Sequence, residues 1–169
     1  MSTLDNLTDT ERLILANQYE ILSKLSDSQY EKDDYKQLSD NFRHGYKWLY
    51  KEHFQVVSDV LDDADTSLVV ETLSLYRTLK NNYDDLTDKA GIDEHKITFL
   101  GFDGNNERRL MNFTKALKEN NRFTEIIEKG LMNSHSPMRQ KYQKMLNKWK
   151  ELDKKETLTL EELIFITDY

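Results

Sequence analysis

Ile97-Thr98-Phe99-Leu100-Gly101-Phe102-Asp103-Gly104-Asn105-Asn106-Glu107 is the stretch where helical periodicity breaks. It holds two of the chain's five glycines and two of its seven phenylalanines. Most of the sequence on either side reads as charged amphipathic helix, so this segment decides the fold: a buried connector that leads into a helix start. Asp103 or Asn105 is expected to cap that helix, with Glu107 in its first turn beside the positive end of the helix dipole. Gly101, between Leu100 and Phe102, is expected to permit a backbone conformation or a close approach that a side chain would block.

Outward from this connector, one proline, five glycines and a charged fraction of 33% favour long helices over strands joined by tight turns. Toward the N-terminus, Thr8-Asp9-Thr10-Glu11 forms a capping box that opens a helix over 9–25. Its apolar residues (Leu13, Ile14, Leu15, Tyr19, Ile21, Leu22, Leu25) make a wide face, which predicts a helix packed against at least two neighbours. A loop over 26–33, a helix over 33–44 ended by Gly45, and an irregular stretch around Trp48 come next. The longest helix is expected over 64–87, started by Asp62, Asp63 and Asp65. Toward the C-terminus, helices are expected over 104–120, from Ser136-Pro137 to about 152, and from a second capping box, Thr159 with Glu162. The fold class is all-α, with seven or eight helices in two packed groups. One domain over 1–169 is expected, divided internally into helical subdomains 8–90 and 97–169.

Three stretches together resemble the YfbU family of small bacterial proteins: Arg12 to Tyr19, Ile97 to Asp103, and Lys141 to Trp149. The resemblance runs from about Thr10 to Ile166. It implies an all-helical cytoplasmic bacterial protein and brings no activity, cofactor or catalytic residue with it.

Composition narrows the function classes. The absence of cysteine excludes a disulfide framework, a Cys-zinc site and a thiol nucleophile together. No apolar run approaches the roughly 20 residues of a membrane-spanning helix, and the first residues lack the basic and apolar regions of a signal peptide. The expectation is a cytoplasmic protein with no membrane partner. Asp103 to Glu107 fails as a calcium loop, because the positions for the obligatory glycine and the closing glutamate hold Arg108 and Thr114. His44, His53, His95 and His135 make no metal-ligand spacing, and neither Ser74 nor Ser134 has a nucleophile-elbow context. No catalytic residue, metal ligand or cofactor is assigned.

Charge is the one feature with a functional direction. The net charge is −7, but residues 108–150 carry 11 Lys/Arg against 3 Asp/Glu. Arg108, Arg109, Lys115 and Lys118 precede Arg139, Lys141, Lys144 and Lys148, and the last three are spaced to line one stripe of a helix. The expected function is a non-enzymatic, self-associating protein-interaction module, a dimer before other oligomers, and this basic region is expected to meet the acidic first half either within the chain or across a dimer. The alternative is an RNA- or DNA-associated protein that uses the 108–150 surface to neutralise phosphates.

Overall fold

The computed structural model describes residues 7–89, 91–130 and 132–168, and for Gln55 and Val56 the backbone alone. Among these residues are eight α-helices and two 3-10 turns, with no strand beyond one isolated bridge between Phe102 and Asn133. The chain divides into two compact units, Met1–Val60 and Leu61–Tyr169.

The first unit holds α1 (Asp9–Leu25), α2 (Gln29–His44) and α3 (Lys47–Lys51), followed by a 3-10 turn over Glu52–Val56. At the start of α1 the Glu11 carboxylate accepts from the Thr8 N–H at 2.7 Å, and the Thr8 hydroxyl accepts from the Glu11 N–H at 3.2 Å. Helix α2 begins four residues before the expected 33, since the Ser28 side chain accepts from the Glu31 N–H at 3.4 Å. The expected loop over 26–33 gives way to this cap. Small residues let α1 and α2 approach: the Ser39 hydroxyl donates to the Ala16 carbonyl at 2.8 Å. The core beside them is small. Phe42 stacks between Tyr19 and Tyr50 at centroid distances of 5.7 and 4.6 Å, with Phe54 edge-on at 5.9 Å.

The second unit holds α4 (Asp63–Asp85), a 3-10 turn over Glu94–Ile97, α5 (Arg108–Glu119), α6 (Thr124–Ile127), α7 (Arg139–Glu151) and α8 (Leu160–Thr167). Asp62 caps α4 by accepting from the Asp65 N–H at 2.7 Å. Leu68, Val69, Leu73, Leu75, Tyr76 and Leu79 of α4 are buried in one core with residues of the connector, α7 and α8. The division expected at 90–97 therefore falls inside this unit, because separating α4 from α7 would open its apolar face to water. Two helix starts also differ from expectation. Helix α5 begins at Arg108 rather than 104, and α7 begins at Arg139, two residues beyond Pro137.

Candidate functional site

The connector is buried as the sequence indicates. Phe99 and Phe102 are fully enclosed, edge-on to each other at 5.9 Å, and pack around Tyr142 of α7 and Tyr76 of α4. The Tyr142 hydroxyl donates to the Gly101 carbonyl at 2.9 Å and accepts from the Leu100 N–H at 3.3 Å. Gly101 holds φ 78°, a left-handed conformation that costs a side chain energy and costs glycine little. A Cβ on Gly130 would stand 2.3 Å from the Phe99 carbonyl oxygen, so the backbone passes there only without a side chain. Opposite Phe102, Asn133 accepts the Gly104 N–H at 3.1 Å and closes the strap.

Asp103 does not cap α5. It is buried, and its carboxylate accepts from the Asn105 N–H at 3.0 Å and from the Asn106 side-chain amide. These bonds, the Asn105 N–H first, hold it below the usual carboxylate range. Glu107 stands at the helix start and makes its contacts elsewhere. Its carboxylate accepts from the Met138 N–H at 2.9 and 3.0 Å, from the Arg139 N–H at 2.7 Å and from the Asp103 N–H at 3.0 Å. A buried anion thus satisfies the orphan donors at the start of α7 and lies at the positive end of its dipole. Sequence reading placed Glu107 in the first turn of its own helix and missed this role. The bonds of Asp103 and Glu107 tie the connector to the start of α7.

A cavity of about 370 Å³ opens beside the connector, lined by Ile97, Thr98, Phe99 and Ile126, with Lys80 and Glu125 among its charged residues. Lys80 pairs with Asp84 and Glu125 with Arg77, while the Thr98 hydroxyl donates to the Glu94 carbonyl. Glu94 and Lys129 complete its charged lining.

The cations of the candidate basic surface fall on two helices, and most have partners within their own unit. On α5, Arg108 donates to the Gly104 carbonyl at 3.4 Å, and Lys115 faces Glu119 at 3.8 Å. Lys118 faces Glu128 of the segment after α6, also at 3.8 Å, and Arg109 is exposed. On α7, Arg139 pairs with Asp65 of α4, and Lys150 lies 3.6 Å from Glu71. Lys148 donates to the Phe165 carbonyl at 2.8 Å and to the Asp168 carbonyl, both at the end of α8, where a cation complements the dipole. Burial pushes the Lys141 ammonium down to about 8. Lys144 is exposed and shares a shallow groove with Arg139, Gln143 and Asn147. The stripe Lys141, Lys144, Lys148 is therefore three different environments, not a uniform solvent-facing row.

The largest departure from a closed surface lies in the first unit. Helix α1 packs along α2 on the Ala16 and Tyr19 side. Its other face presents Ile14 at 59%, Ile21 at 57% and Leu25 at 72% exposure. The wide apolar face of this helix predicts a second neighbour, and among the described residues of the first unit α2 is the helix that runs along it.

The YfbU domain model matches residues 5–168. A UPF0304 protein of Mannheimia succiniciproducens is 32% identical over 162 residues, covering 93% of this chain and 95% of that protein. A UPF0304 protein of Histophilus somni is 31% identical over 160 residues, again 93% and 95% of the two chains. The chain belongs to the YfbU family.

Proposed function

We propose, starting from membership of the YfbU family, that this chain is a non-enzymatic, self-associating protein-interaction module whose copies meet through the outer face of α1. The observation that carries this reading is the exposure of Ile14, Ile21 and Leu25 on one side of a well-capped helix. Fully burying such a side chain is worth about 1.5–3 kcal/mol, and contiguous apolar patches mark contact surfaces. Trp48, 74% exposed in the same unit, adds an aromatic of the kind that anchors interfaces.

The nucleic-acid reading has less support. The first unit carries 7 Lys/Arg against 11 Asp/Glu and residues 61–169 carry 17 against 20, so neither unit is basic. Of the cations of 108–150, Arg139 pairs with Asp65 and Lys150 with Glu71 in the same unit. Phosphate binding needs cations that release counterions on contact, and an acidic molecule attracts polyanions poorly.

Sedimentation equilibrium over a wide concentration range tests the proposal. A reversible monomer–dimer equilibrium that persists at high salt is expected, since apolar contact is not screened. A strict monomer at every concentration contradicts it.

A further inference from the structure

Building on the self-association reading, we infer that two copies pair α1 against α1 in antiparallel orientation, around a two-fold axis between Gln18 and Ile21. Ile14, Gln18, Ile21 and Leu25 follow steps of four, three and four residues, the spacing of a two-helix seam. Two copies of one patch form an isologous contact, which closes as a dimer.

The orientation follows from what else lies in the seam. The same spacing, extended one step toward the N-terminus, reaches Glu11. In a parallel pair Glu11 would face the second copy's Glu11, and Gln18 its Gln18, so two of the five layers would oppose like charge or amide. In the antiparallel pair Ile14 lies opposite Leu25 and Gln18 opposite Ile21, and Glu11 falls outside the seam. That alignment brings each Lys24 within about one helical turn, roughly 6 Å along the axis, of the other copy's Glu11. It also sets the two helix dipoles head to tail. The acids of the first turn, Asp9 and Glu11, and the Lys24 of the last turn give the helix the charge gradient that this pairing uses, although within their own chain they also contact Arg12, Thr8 and Glu20 respectively.

The seam from Ile14 to Leu25 is about 17 Å long. It covers less than the roughly 800 Å² per partner of a standard interface, so the dimer is weak and concentration-dependent.

The chain has no cysteine, so single cysteines report the pairing without background. I14C and L25C sit at exposed positions and are checked for native helicity by circular dichroism. Each is treated with a short bismaleimide alone and as an equimolar mixture, with Q37C on α2 as the collision control. Antiparallel pairing predicts at least ten-fold more 14–25 linked peptide, by mass spectrometry, than 14–14 or 25–25 peptide. Equal or greater 14–14 and 25–25 linkage means a parallel pair and overturns the inference. A dimer by light scattering that links no better than Q37C places the interface elsewhere: the inference falls and the self-association reading stands. A monomer under the same conditions, with α1 covered by its own chain or by nothing, removes both.

Discussion

Glu107 concentrates the physics of the second unit in one side chain. Its carboxylate is buried and takes N–H donors from Met138, Arg139 and Asp103. Substituting Gln keeps the shape but turns an amide NH2 toward N–H groups. Glu107→Gln should cost about 1–3 kcal/mol, the range for stranding buried polar groups. Urea unfolding followed by the buried Trp149, in a Trp48→Phe background, checks this. Nothing in the spacing of Glu107 announces its role at α7, because its partners there lie 31 and 32 residues further on. Thr72 offers the opposite case: its hydroxyl is buried and has no hydrogen-bond partner among the described residues. Thr72→Val should therefore be neutral or raise stability by up to about 1 kcal/mol. Lys141 makes a pH prediction. Its folded value of about 8 lies below the ordinary lysine range near 10.4, so between those limits the unfolded chain holds more protons and stability rises with pH. After allowance for solvent screening the rise is about 1 kcal/mol. Melting curves at pH 7.5 and 10 should show a smaller rise in Lys141→Met than in the parent.

At the scale of elements, local chemistry was legible and long-range chemistry was not. The caps of α1 and α8 involve residues three apart, so their patterns stand in the sequence and their bonds in the structure. Thr8→Ala should cost about 1 kcal/mol of first-unit stability, seen as a lower thermal midpoint. Ser28 with Glu31 has the same short spacing and gives α2 its true start, inside a segment whose polar composition alone suggests a loop. Pro137 suggested a helix beginning at itself. The helix begins two residues later because the Glu107 carboxylate, brought in by the fold, receives the Met138 and Arg139 N–H groups. The width of the apolar face on α1 was visible too, but periodicity shows that a face wants cover without showing what covers it.

Across the whole molecule, charge read along the chain differs from charge read in space. The acidic first hundred residues and the basic 108–150 segment look like opposed halves, yet α4 lies with the second unit and its Asp65 and Glu71 meet Arg139, Lys150 and Lys154 there. A labelled RNA at low salt should accordingly give no more than a shallow anisotropy change, insensitive to Lys141→Glu with Lys144→Glu. Apolar surface, by contrast, stays exposed on α1 at Ile14, Ile21 and Leu25. The most direct measurement is light scattering on the parent chain, Ile21→Glu and the surface control Lys144→Glu, at equal concentration and high salt. Self-association through α1 predicts a dimer for the parent and the control, and a folded monomer for Ile21→Glu. An Ile21→Glu variant that keeps the parent's mass, or a parent that is monomeric throughout, contradicts it.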